Sequence, residues 1–377
     1  MGQPHHHHQP LHGITVLDFS TLLPGPMATL LLAEAGAEVI KIERPGNGDE
    51  MRSYTPKFGK DSVNFALLNR AKKSIAIDLK SVSERARLEE LVRSADIIVE
   101  QFRPGVMQRL GLDYETVSRI NPKIIYCSIT GYGQSGPKAQ IAAHDLNYVA
   151  DSGMLALSTG ADGAPVLPAA LVADIAGGAY PAVMNILMAL QARAQSGLGC
   201  HLDIAMADNL FTLMYWGLGS GFSAGQWPKR GKELVTGGSA RYQVYRTSDN
   251  RYLAAAPLED KFWTNFTEII GIPQEELAAD DQQAIARVAS VIAQHSADYW
   301  LEKFKGREVC TGLVADLEDA VTDPHFIGRG LFTQTLDDGR GGSIPALPVP
   351  ICSVFRHIQA AGAPELGESN AALIGEL

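Results

Sequence analysis

Five short runs rich in Ile and Val recur through the first third of the chain, at residues 14–19, 37–42, 74–79, 95–100 and 123–129. Helix-patterned segments stand between them, one over 27–35 ending at Gly36 and one over 83–94 with Leu88, Leu91 and Val92 on one face. Nearly continuous apolar character, rather than strict alternation, marks strands buried on both faces. Strands that alternate with helices pair in parallel, because a crossover helix must return the chain to the same edge. The pattern predicts an α/β fold with a parallel sheet.

Beyond the fifth run, residues 174–194 read as one long helix opened by Asp174 and two glycines. A strand over 199–205 and a helix over 208–217 follow, and the glycine-rich, weakly periodic stretch 217–238 reads as a linker. The character then changes. Residues 241–246 and 251–256, joined at Asp249-Asn250, form a β-hairpin pattern, and helices are expected over 261–270, 281–295 and 297–306. These boundaries divide the chain into a large domain over 13–217, a smaller α+β domain over 225–325, and a segment over 326–377 whose Pro-rich part returns to the large domain. Residues 1–12, with His5 to His8, are read as a tag or leader and carry no site.

With 377 residues, 46% of them hydrophobic, the chain holds enough apolar mass for two cores. Its net charge of −10, with no basic tail, excludes a phosphate-tracking nucleic-acid binder. Cys127, Cys200, Cys310 and Cys352 are far apart and show no metal-ligand spacing, so a reduced cytoplasmic protein without a metal site is expected. The apolar stretch 169–190 contains Asp174, Gly177, Gly178 and Pro181, which fits a buried helix better than a membrane span. The loop after the first strand has neither GxGxxG nor GxxxxGK[ST], and no GxSxG follows a strand. NAD(P) chemistry, nucleotide hydrolysis and serine hydrolysis are therefore not written in the motifs.

What remains is acid–base chemistry. His144 and Asp174 each sit in a mostly apolar stretch, where a carboxylate is costly unless it is paired or used. The alternatives are a helix cap for Asp174 and a satisfied core residue for His144. His201, His325 and His357 have no comparable context and are read as structural. Three basic clusters, at 41–46, 68–74 and 102–109, suit an anionic ligand carrying an adenine, and two of them leave the carboxyl ends of strands, where ligands of open α/β sheets collect.

Motifs spread along the chain, among them VIKIER at 39–44, NRAKKS at 69–74, SITGYG at 128–133, HDLNY at 144–148 and APELGE at 363–368, resemble those of the class III CoA-transferase family. That family includes formyl-CoA transferase and α-methylacyl-CoA racemase. The resemblance implies a homodimer of interlocked rings, each subunit having a Rossmann-like large domain and a small domain. It places coenzyme A, part of the substrate rather than a prosthetic group, against Leu22, Leu23 and Pro24, with Arg44, Lys72, Phe102 and Arg109 near its adenine, ribose and phosphates. Asp174 matches the catalytic aspartate, His144 the histidine of the racemase branch, and Glu259 a glutamate that supports that histidine. Asp145 and Tyr148 are expected beside the substrate.

The transferase run of glycines is missing, with only Gly237-Gly238 nearby. The resemblance therefore favours α-proton transfer on a 2-methylacyl-CoA, epimerised between His144 and Asp174. The alternative is CoA transfer to a carboxylic acid through an Asp174 acyl anhydride. Either chemistry needs donors for the thioester oxygen, expected from free N–H groups at the mouth of the Asp174 helix. The partner is then an acyl-CoA, with no nucleic acid and no membrane.

Overall fold

The computed structural model describes residues 9–160, 162–277, 280–356 and 361–375; His5 to His8 and His357 lie outside the described residues. Contacts divide the chain into two units, one of residues 1–152, 169–213 and 325–377, the other of 153–168 and 214–324.

The first unit is built on six strands: β1 (Thr15–Asp18), β2 (Glu38–Glu43), β3 (Lys73–Ala76), β4 (Ile97–Glu100), β5 (Ile125–Thr130) and β6 (Cys200–Ala205). They form one sheet in the order β3-β2-β1-β4-β5-β6, every neighbouring pair parallel. The apolar runs account for this. Val16, Val39, Ile97 and Ile125 are fully buried, as are Leu17, Ile98 and Ile75, so both faces of the sheet are covered. One face packs Leu17, Ile40, Ile75 and Ile98 with Leu88, Val92 and Val117. The strand order reverses between β1 and β4, and the crevice at that switch point is where such sheets bind ligands.

Local departures from the expected pattern have physical causes. The helix expected over 83–94 is two short helices, Val82–Ala86 and Glu89–Ser94, with Leu88 inserted into the core between them. The helix containing Asp174 begins with a π-helical segment, Ala173–Ala179, and continues as an α-helix over Tyr180–Ser196. A Cβ on Gly177 would stand 2.4 Å from the Met206 carbonyl oxygen, so only glycine admits this approach. The carbonyl of Gly177 accepts from Asn209 Nδ2 at 2.8 Å. The expectation of a buried helix is corrected here. Ala173, Gly177, Gly178, Ala182 and Ile186 are buried, but Met184, Leu187 and Met188 are exposed, and the helix is long and apolar enough to cross a membrane.

In the C-terminal segment, Leu347, Val349 and Ile351 pack against Leu30 and Leu31 of helix α1 (Pro24–Glu34). Glu34, at the end of α1, pairs with both Arg70 and Arg356.

The second unit holds an antiparallel sheet of Gln243–Arg246, Tyr252–Ala255 and Thr311–Leu313, with Tyr252–Ala255 in the middle. Its core stacks Trp263, Phe266, Trp300 and Phe304. Two expectations change. Residues 153–168, assigned to the large domain from sequence, belong to this unit because Arg230 donates to the carbonyls of Ala156 and Gly163 and Gly231 N–H to that of Leu157. The linker contains a helix, Tyr215–Ala224. Its glycines serve packing: a Cβ on Gly221 would lie 2.4 Å from the Trp227 ring.

Candidate active site

The loop leaving β1 is set by a buried charge network. Asp18 accepts from Thr29 Oγ1 at 2.6 Å, from the Ser20 backbone and hydroxyl, and from Lys72 Nζ at 3.2 Å. Burial alone would raise this carboxyl, but the ammonium groups of Lys72 and Lys41 and the two hydroxyls outweigh it and hold the pKa at about 2. Lys41 bridges the Ser20 carbonyl and Asp49, and Asp49 accepts the N–H of Leu22, which sits at φ +62°.

Lys72 is therefore misplaced as a coenzyme contact. Its ammonium is fully buried and spent on Asp18, Thr29, Asn69 and the Pro26 carbonyl, which leaves no donor for a phosphate. Its role is to fix the β1 loop against α1. Lys72→Ala, which strips a buried carboxylate of its direct partner, is expected to cost about 3 kcal/mol in urea unfolding.

The opening of α1 explains why a Rossmann strand order carries no dinucleotide motif. Pro24 and Pro26 have no N–H, and Gly25 gives its own to Gln101 Oε1 at 3.0 Å. Gln101 in turn donates to the Thr21 carbonyl. These residues of the first turn, which in a nucleotide site would face a pyrophosphate, have nothing left to offer one.

Beyond this loop, at the carboxyl ends of β4 and β5, lies a hollow of about 400 Å³. Its lining brings together Leu22, Pro24, Phe102, His144, Tyr148 and Asp174 from the sequence-predicted set. Phe102 also borders a neighbouring, mainly apolar hollow of about 370 Å³, lined by Ile42, Arg44, Ile77 and Leu110 among others. Arg44 is exposed, with Nε on the Gly48 carbonyl. Leu23 is the residue before α1 and Arg109 is exposed on the helix Val106–Leu110; neither lines the two hollows. Glu259 belongs to the second unit, where it precedes the helix Asp260–Ile270.

Asp174 is not the cap of its helix, which is Val172, and it forms no ion pair among the described residues. It lies in the first turn of the π-helical segment, and burial, reinforced by the neighbouring Asp145, pushes its pKa up to about 7. Asp145, 7% exposed at the start of α2 (Asp145–Asp151), accepts the backbone N–H of Asp174 at 3.0 Å. It positions Asp174 and does not line the hollow that Asp174 lines, so its expected place as a substrate contact is corrected. His144 is exposed just before α2, where Asn147 Oδ1 accepts its backbone N–H at 3.0 Å.

Two of the expected oxyanion donors are already used. The N–H of Asp174 goes to Asp145 and that of Ile175 to the Leu171 carbonyl at 3.1 Å.

Several lining residues were not singled out in the sequence: Gln101, Arg103, Thr130, Tyr132 and Asn147. Tyr148, held by an O–H bond to the Ala143 carbonyl at 2.8 Å, meets Tyr132 edge-on. Its ring rests on Gly131, where a Cβ would lie 2.3 Å from it. Gly131→Ala is thus expected to displace Tyr148 and lower stability by about 1–3 kcal/mol in thermal melts.

A carboxyl poised near neutrality and an imidazole, facing one crevice at the switch point of a parallel sheet, define an α/β enzyme with acid–base or nucleophilic chemistry. Residues 11–370 match the model of CoA-transferase family III, and the chain belongs to that family, whose members are enzymes. It is 32% identical over 376 residues to the acetyl-CoA:oxalate CoA-transferase of Acetobacter aceti, covering 97% of this chain and 95% of that one. It is 33% identical over 328 residues to human α-methylacyl-CoA racemase, covering 85% and 82%. A crystal structure of a CAIB/BAIF family protein from Brucella suis superposes with a TM-score of 0.82 at 30% identity, covering 96% of this chain and 98% of that one.

Proposed function

We propose that the protein epimerises a 2-methylacyl-CoA thioester, with His144 and Asp174 exchanging the α-proton. The observation that carries this reading is that both side chains line one hollow, with the Asp174 carboxyl raised to about 7. At that value the group both takes and gives a proton near neutral pH. One residue removes the α-proton as the other delivers a proton to the opposite face, so the centre inverts. The chain's own side chains supply the chemistry, and coenzyme A enters as part of the substrate.

Leu22, Pro24 and Phe102 flank the pantetheine path in this reading, and the apolar hollow beyond Phe102 takes the adenine near Arg44, with Arg109 toward the phosphates. Glu259 is proposed to support His144, in a homodimer of interlocked rings. The exposed Met184, Leu187 and Met188 support burial against a second copy. Incubating one enantiomer of a 2-methylacyl-CoA with the protein and resolving the product by chiral chromatography tests the reading. A mixture of both enantiomers supports it, and unchanged enantiomeric purity rejects it.

A second reading, CoA transfer, is favoured by the likeness to the oxalate transferase over nearly the whole chain. Asp174 would then attack the thioester carbonyl, its oxygen bonding to the acyl carbon as the CoA thiolate leaves. An acceptor carboxylate would attack the Asp174 carbonyl of that anhydride and expel the donor acid, and the returning thiolate would attack the acceptor's carbonyl, forming its thioester and freeing the Asp174 carboxylate.

A further inference from the structure

Glu100 closes β4 with a carboxyl that is 3% exposed and takes no part in the reactions above. A buried carboxyl is costly unless it is hydrogen-bonded, and its bonds here lead to the coenzyme path. Oε2 accepts the backbone N–H of Phe102 at 2.8 Å. Phe102 borders both the Asp174 hollow and the apolar hollow beyond it. The Ser128 hydroxyl also bonds the carboxyl. Ser128 is in register with Glu100 across β4 and β5, so the two share a face of the sheet. Its oxygen meets His201 Nε2 of β6 at 3.0 Å.

This chain of three runs from His201, which is exposed and stacks on Tyr114, inward to a buried acid, and it works in two directions. With Glu100 ionised, Ser128 donates to the carboxylate and His201 Nε2–H donates to Ser128. With Glu100 protonated, its O–H donates to Ser128 and the Ser128 O–H to an unprotonated Nε2. Every member keeps its partners in both states, so the acid exchanges a proton with solvent through His201. The Phe102 bond does change, because an amide holds an ionised acceptor about twice as strongly as a neutral one.

The surroundings let Glu100 titrate near neutrality. Burial, opposed by the Ser128 and Phe102 bonds and reinforced by Asp203 of β6, pushes its pKa up to about 7. On the same face, partial cover holds His201 below its usual value. Asp113, Tyr114 and Glu115 line the hollow of about 270 Å³ beside Glu100, as does Arg103. Tyr126 and Cys127 of β5 are pushed up by burial and stay neutral. Asp18 of β1 is in register with Val99, and so lies on the opposite face.

We propose that Glu100 is a positioning residue for coenzyme A: its carboxylate fixes the turn that carries Phe102, and protonation through His201 and Ser128 slackens that turn and weakens binding. The inference rests on the acyl-CoA reading, in which Phe102 flanks the pantetheine, and it holds for either reaction. A turn held in its bound form before the ligand arrives binds more tightly. Affinity therefore rises as pH passes upward through the titration of Glu100.

Isothermal titration calorimetry of free coenzyme A with the full-length protein, from pH 6 to 9, tests it. Glu100→Gln keeps an oxygen for the Phe102 N–H but never ionises. Its Kd should match that of the wild type at pH 6 and be about 5-fold weaker at the upper end, the difference between a neutral and a charged acceptor. Titration of the ligand and of Asp174 is common to both proteins and cancels in the ratio of their Kd values. A residue that matters only for packing gives a ratio independent of pH. Ser128→Ala removes a donor to the carboxylate, so Glu100 should ionise at higher pH. The ratio of its Kd to that of the wild type should be largest between the two titrations and fall away on either side, and this variant decides the matter if Glu100→Gln does not fold. A ratio independent of pH in either variant overturns the inference and leaves the acyl-CoA reading standing. A wild type that binds no coenzyme A overturns both.

Discussion

Asp174→Asn is expected to abolish turnover of acyl-CoA thioesters, by about 10³-fold or more, while making the protein more stable at pH 8. The loss follows under either reaction, since the carboxyl is the base in one and the nucleophile in the other. The gain follows from burial. The carboxyl's pKa rises from 3.8 to about 7 in the folded protein. A group raised in this way stabilises the fold fully below its unfolded value and loses that contribution as pH rises through the folded value. Ionised Asp174, beside Asp145, is therefore a cost above pH 7. The full shift corresponds to about 4 kcal/mol, and residual contact with solvent reduces this to about 2 kcal/mol. Urea unfolding of the two proteins should diverge between pH 4 and 8, Asp174→Asn being the more stable at the upper end and equal at the lower. A variant less stable at pH 8 would show that the carboxylate is paired rather than poised.

His144→Ala separates the two reactions. Its side chain is exposed, and the Asn147 bond that organises the start of α2 uses the backbone N–H, which alanine keeps. The fold should change by less than about 0.5 kcal/mol, as for an ordinary surface substitution. If the imidazole exchanges the α-proton, epimerisation should fall about 10²–10⁴-fold. CoA transfer to an added carboxylic acid, which asks only for the Asp174 carboxylate, should be little changed. Parallel kinetics of both reactions on one preparation read this directly. Equal loss of both would place His144 in substrate binding instead.

The sheet was legible because each strand is short, apolar and isolated between helical segments, so Val16, Ile40 and Ile98 could be placed in the core from pattern alone. The π-helical start at Ala173–Ala179 was not. It depends on Gly177 meeting the backbone of Met206, a contact that no local periodicity carries. Asp145 stands next to His144 in the motif, where a substrate contact is expected, yet its hydrogen bond reaches the backbone of Asp174, 29 residues on. Lys72 shows the same gap. In NRAKKS it resembles a solvated cation, but it directly precedes β3 and its ammonium turns inward to Asp18, a partner 54 residues away.

The account turns on proton exchange at the α-carbon of a bound thioester. Incubation with a 2-methylacyl-CoA in deuterated water, with no acceptor acid present, followed by mass spectrometry of the recovered thioester, measures it. Deuterium at the α-carbon, lost in both Asp174→Asn and His144→Ala, is the predicted result. An unlabelled thioester, together with an Asp174 acyl adduct that hydroxylamine cleaves, would contradict it.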